Sequence, residues 1–169
     1  KTVLELEKTF PALGLLKLGN SSSLPISFQH SLESTNHEVR SVIGLTHDDA
    51  GKLPTLVIFS PMHVVRGGKM NQDFGYLDLL ELDDQSDLGD NVQVRLQMVG
   101  RNDYLAIISR QIVRSPLAED LFLSLHYHLK RLDEVGEWAK SSLNVPTLTP
   151  QELSDLARDF GVLNYRGND

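Results

Sequence analysis

The sequence predicts an α+β fold: an antiparallel β-sheet of about five strands with an N-terminal helix, a short middle helix, a long C-terminal helix packed on the sheet, and an added short terminal helix. Three observations predict it. Strand-like patterning comes in a cluster of three segments and a cluster of two, joined by turn signals that suit antiparallel neighbours. Helical spacing of apolar residues appears near both ends of the chain and again, at length, after residue 115. At 169 residues, 40% of them hydrophobic and 23% charged, the chain is long enough to bury one compact core.

Val3, Leu6, Phe10, Leu13 and Leu16 recur at the spacing of a helix face, and Pro11 within them predicts a kink or two short helices. Gly19 to Ser23 ends this element. From Leu24 to Leu32 the alternation is strict, with Leu24, Ile26, Phe28 and Leu32 on one face and His30 in the same register. Glu38 to Asp48 alternates Val39, Ile43 and Leu45 with polar residues, and the turn at Asp48-Asp49-Ala50-Gly51 predicts a hairpin with the next run. That run, Leu56-Val57-Ile58-Phe59, is apolar at consecutive positions, so it should be covered on both faces and lie centrally, with Pro61 limiting the ladder beyond it.

Arg66 to Lys69 reads as a loop, and Tyr76, Leu77 and Leu80 favour a short helix between Gly75 and Asp90. Asn91 to Val99 and Tyr104 to Val113, separated by Gly100-Arg101-Asn102-Asp103, predict a second hairpin. Ser115-Pro116 is an N-cap with proline at the first helical position. Leu117, Leu121, Leu125, Leu129, Leu132, Val135 and Ala139 then form the buried stripe of a long helix, with Lys130, Arg131, Asp133, Glu134 and Glu137 expected in solvent. After a linker at 144–148, Thr149-Pro150-Gln151-Glu152 is a capping box opening a short amphipathic helix closed by Gly161. The expected organisation is a single α+β domain over residues 1–143, followed at 144–169 by the linker and helix, packed on the same domain or on a partner.

Sixteen Lys and Arg against 23 Asp and Glu leave a net charge of −7, the wrong sign for a nucleic-acid or anionic-membrane partner. The absence of cysteine excludes thiol catalysis, iron–sulfur clusters and disulfides, and fits a reducing, cytoplasmic setting. No apolar run approaches the ~20 residues of a membrane helix, so membrane insertion is not expected. Opening at Lys1 rather than Met leaves room for a leader, tag or neighbouring domain ahead of it.

No motif predicts a catalytic, cofactor or metal site. His126 and His128, two residues apart, point in different directions on a helix and cannot share an ion. The acidic run Asp83 to Asp90 fails the calcium-loop template, with Leu88 where glycine is needed and Val94 where a bidentate glutamate is needed. Ser60 near His63 lacks a nucleophile elbow, and Gly67-Gly68-Lys69 lacks the rest of a phosphate loop.

Tyr76-Leu77-Asp78-Leu79-Leu80-Glu81-Leu82, the alternating segments Asn91 to Val99 and Tyr104 to Val113, and the long helix Ser115 to Ser142 follow one another as helix, hairpin and helix. With the preceding helix and three strands, this order resembles the type III secretion chaperone-like family and its bacterial relatives labelled sensory transduction regulators, over about residues 1–142. The resemblance is one of pattern and order, and the tail from Asn144 to Asp169 lies beyond it. It implies a homodimer that holds an extended or partly unfolded protein client on apolar surfaces. Leu6, Phe10, Ile26 and Phe28 are the candidate contacts, against the plainer reading of all four as core. Leu153, Leu156 and Phe160 mark a candidate docking helix.

The expected function is therefore a non-catalytic protein-binding module, secretion-chaperone-like or a regulatory adaptor, with a protein client or subunit as partner. The alternatives are a small hydrolase-type enzyme using a histidine acid–base pair in a sheet pocket, with His30, His47 or His63, and a structural subunit of a larger assembly.

Overall fold

The computed structural model describes residues 25–33, 37–47, 54–65, 92–112, 117–139, 143 and 148–163. The expected N-terminal helix, with Leu6 and Phe10, and the expected short middle helix fall on residues outside these. Within them the chain runs β1 (Ile26–Ser31), β2 (Glu38–His47), β3 (Pro54–Val64), β4 (Val92–Val99), β5 (Asn102–Ile112), α1 (Leu117–Ala139) and α2 (Pro150–Asp159). The fold is α+β, with one five-stranded sheet in the order β1-β2-β3-β5-β4, antiparallel at every pairing.

β3 is central because it has no polar face to turn to water. Leu56, Val57, Ile58 and Phe59 are all 1% exposed or less, as are Leu105 to Ile108 on the neighbouring β5. Alternation sends Leu56, Ile58, Leu105 and Ile107 to one side and Val57, Phe59, Ala106 and Ile108 to the other. Each side needs its own cover. α1 supplies the first, with Leu121, Leu125, Leu129, Leu132, Val135 and Ala139 buried in one cluster with β3 and β5. α2 supplies the second, through Leu153, Leu156, Ala157 and Phe160. At about 1.5–3 kcal/mol for each fully buried aliphatic or aromatic side chain, both layers are major contributors to stability.

The helix that closes the second layer is bounded at both ends as its sequence predicts. Thr149 Oγ1 accepts from the Glu152 amide at 3.1 Å while the Thr149 amide donates to Glu152 Oε1 at 3.0 Å. At the other end Gly161 has φ +69°, and Val162 N–H donates to Ala157 O at 3.0 Å and Gly161 N–H to Arg158 O at 2.9 Å, the paired bonds of a Schellman motif. That turn carries Leu163 back onto β2, where its side chain fills the space a Cβ at Gly44 would need, 2.7 Å away. Phe160 tilts against Phe59 with ring centroids 5.3 Å apart and lies under the Arg95 guanidinium, which also donates to Phe160 O at 3.3 Å. Leu148, expected in a linker, is buried with this cluster.

Two expectations are corrected. Pro61 does not stop the ladder: β3 continues to Val64, with Pro61 opposite Ala106 of β5. Its registered pairing with β2 ends at Phe59, so at Pro61 the registered neighbour among the described residues is β5, and a side without a ladder bond tolerates a residue that lacks an N–H; further on, Val64 bridges Leu143. Arg131, expected in solvent, is 2% exposed. It sits at the margin of the α1 stripe, where its long aliphatic stem can be covered while its Nη1 reaches the exposed Glu134 carboxylate at 3.2 Å.

Replacing Thr149 by Ala should lower the unfolding free energy by about 1 kcal/mol, measured by urea denaturation, because it removes the acceptor for an otherwise unpaired helix amide. Gly44→Leu should cost about 1–3 kcal/mol in the same assay, since Leu163 already occupies the space.

Candidate functional site

Polar side chains gather in the α1 layer, on the inward registers of three strands. In β2 the inward positions are Val39, Ser41 and Ile43; in β3, Ile58, Ser60 and Met62; in β5, Leu105, Ile107 and Ser109. The three serines thus stand where aliphatic residues would otherwise pack. Above them His128 of α1 is wholly buried. Its Nε2 lies 2.7 Å from Ser60 Oγ, its Nδ1 lies 2.6 Å from Ser109 Oγ, and Ser60 Oγ lies 2.6 Å from Ser41 Oγ.

Burial, reinforced by repulsion from His30, pushes the His128 imidazole down to about pKa 3, so the ring is neutral near pH 7. A neutral imidazole has one donor and one acceptor nitrogen. One of Ser60 and Ser109 therefore donates to the ring while the other accepts from it, and both ring nitrogens are used. The arrangement has the members of a nucleophile and base pair without their function, because none of the four is more than 3% exposed and no substrate reaches them. What it does is fix the rotation of α1 against three strands.

A second pair ties α1 to the edge of the sheet. His30 Nε2 of β1 donates to Asp133 Oδ1 at 2.9 Å, and the same oxygen accepts the Glu33 amide at 3.3 Å. Between these contacts Leu32, 2% exposed, lies against Gly136, where a Cβ would come within 2.8 Å of it. A side chain at position 136 would thus meet the β1–β2 loop. Beside it opens a cleft of about 530 Å³ whose polar lining is Glu33, His126, Lys130, Asp133, Glu134 and Glu137. Four carboxylates and one ammonium line it, with Asp133 engaged by His30 and Glu134 by Arg131.

Of the histidines considered for acid–base work, His30 is 5% exposed and held by Asp133. His63 is half buried against Tyr104, with ring centroids 5.3 Å apart, on the α2 side of the sheet. His30 and His63 thus lie on opposite faces. His126 lines the cleft while His128 is enclosed, as their spacing requires. Among the described residues no group of three or more His, Asp or Glu is placed to hold a metal ion.

Ile26 and Phe28 are half buried on β1, against the α1-side cluster. Leu153, Leu156 and Phe160 are buried on the opposite side, against the sheet of their own chain, so the apolar side of that helix is already covered.

The sequence suggested Ser60 only as a neighbour of His63 and His128 only beside His126, and it gave Ser41 and Ser109 no role. The signal was there: positions 41, 60 and 109 share the parity of aliphatic neighbours, and 121, 125, 128, 132, 135 and 139 repeat at alternating four- and three-residue steps with histidine in the seam.

No protein-family model matches the chain, and no curated protein matches it in sequence. The fold and site define an α+β chain with a two-sided sheet and a buried polar circuit. Among the described residues no helix is long and apolar enough to cross a membrane.

His128→Leu should destabilise the protein by about 3 kcal/mol in urea denaturation, mostly by leaving buried hydroxyls without partners. Adding Ser41→Ala, Ser60→Ala and Ser109→Ala to that variant should restore at least about 1 kcal/mol, because all three hydroxyls of the circuit are then gone together.

Proposed function

We propose that this chain is a non-catalytic protein-binding module, a secretion-chaperone-like or regulatory adaptor that holds an extended or partly unfolded segment of a protein client, acting as a cytoplasmic homodimer. The observation that carries the reading is the edge strand β1. Among the described residues it borders the sheet on one side, with Ile26 and Phe28 half buried along it. An added strand can take up the backbone groups of such an edge while its side chains bury further apolar area. The chemistry of the chain points the same way, since its most reactive-looking cluster is sealed from solvent. Three antiparallel strands, a hairpin and a long helix also follow in the order that the resemblance implies.

A second reading, a small hydrolase-type enzyme, draws on the His30–Asp133 pair, because Asp133 also lines the cleft. It needs the imidazole to reach a substrate, and His30 is 5% exposed.

Fluorescence anisotropy with a reduced, alkylated and therefore permanently unfolded polypeptide should give saturable binding without nucleotide. Phe28→Ser, with its circular dichroism unchanged, should weaken that binding about tenfold, or ~1.4 kcal/mol. No saturable binding by the wild-type chain, or undiminished binding by the folded variant, would contradict the proposal. Loss of hydrolysis of an ester probe in His30→Gln would favour the enzyme instead.

A further inference from the structure

We propose that the Ser41–Ser60–His128–Ser109 circuit is an acid-sensitive latch that releases α1 from the sheet when the imidazole takes up a proton, while the α2 layer stays closed.

The geometry of the two layers differs in the way this requires. On the α1 side a titratable ring sits at the centre of the helix–sheet contact, wholly enclosed, with hydroxyls as its hydrogen-bonding partners. Hydroxyls can reorient to accept from both nitrogens of an imidazolium, but they bring no negative charge to it. On the α2 side the buried members are apolar apart from Tyr104 and Ser154, and His63 there is half buried rather than enclosed.

Among the described residues no anion compensates a proton on His128. From β1 the group facing it is His30, which repels a positive charge, and the carboxylate beside His30, Asp133, is already engaged by that ring and by the Glu33 amide. The inward positions near it on β2, β3 and β5 are Val39, Ser41, Ile43, Ile58, Ser60, Met62, Ile107 and Ser109, which carry no charge; Asp103 stands at the far end of β5. From β4, Val92 and Val94 reach the same cluster. On α1 itself the nearest charges are Arg131, paired with Glu134, and the outward Lys130.

The sign follows from which state binds the proton. An opened His128 is protonated below its ordinary pKa of 6.5, whereas the closed ring resists protonation until about pH 3. Between those limits acid favours the open form, and the ratio of open to closed α1 layer rises by up to about tenfold for each pH unit. Above pH 6.5 the latch contributes its full stability.

Amide hydrogen exchange on the full chain from pH 7 to pH 4.5, corrected for the intrinsic pH dependence of exchange, tests this layer by layer. Protection of Leu125, Leu129 and Leu132 should fall about tenfold per unit below pH 6, while Leu156 and Ala157 hold theirs. His128→Gln keeps one donor and one acceptor but cannot titrate, so the fall should vanish; in His30→Gln, which keeps a donor for Asp133, it should persist. Flat protection of α1, an equal fall in α2, an undiminished fall in His128→Gln, or its loss in His30→Gln would each overturn the latch. Nitrogen chemical shifts of the wild-type imidazole decide independently of any variant's folding: a neutral His128 ring in the closed protein at pH 5 is expected, and a protonated one overturns the proposal.

Discussion

A strand that is apolar on both faces has to be covered twice, and most of this structure answers that requirement. Leu56 to Phe59 and Leu105 to Ile108 place eight consecutive-run residues at 1% exposure or less on adjacent strands, so neither face of the sheet centre can meet water. α1 and α2 are the two covers. The close approaches follow from the same demand: Gly44 makes room for Leu163, which completes the α2 layer, and Gly136 makes room for Leu32, which brings the β1–β2 loop onto α1. With side chains at those positions the covers would stand off the sheet, and gaps at a packed interface forfeit dispersion contacts as well as burial.

Within the α1 layer the protein accepts a line of polar groups where aliphatic residues would have packed more simply. Fully satisfied, such a line costs little; half satisfied, it costs more than an apolar replacement. Its consequence is specificity. Side chains alternate faces along a strand, so a one-residue slip of β2, β3 or β5 would carry its serine to the α2 side and strand the histidine. A rotated α1 would do the same. Apolar packing alone tolerates small shifts of register or rotation, whereas the circuit is complete only when three strands and one helix are all in place.

The elements with a local cause were legible in the sequence. Parity marked the inward residues of β1 and β2, continuous apolarity marked β3 as central, and the capping box and Gly161 bounded α2 because each depends on neighbours within a few residues. The circuit was not read, since Ser60 and His128 are 68 positions apart and Ser41 and Ser60 are 19 apart, and their meeting depends on strand order and helix rotation together. Pro61 shows the same limit. A proline rule is about ladders, and whether β3 had a ladder on both sides at that residue depended on where β2 departed. Arg131 was misplaced because charge suggested solvent while its position at the margin of a wide buried stripe suggested cover, and cover prevailed.

Two-sided burial of β3 and β5 holds the fold. Native-state hydrogen exchange in increasing denaturant tests it residue by residue. The amides of Ile58 and Ile107 should exchange only through global unfolding, with the full denaturant dependence, while outer-strand amides such as Phe28 exchange through smaller openings. Exchange of Ile58 and Ile107 at the rate of the outer strands, with little denaturant dependence, would contradict it.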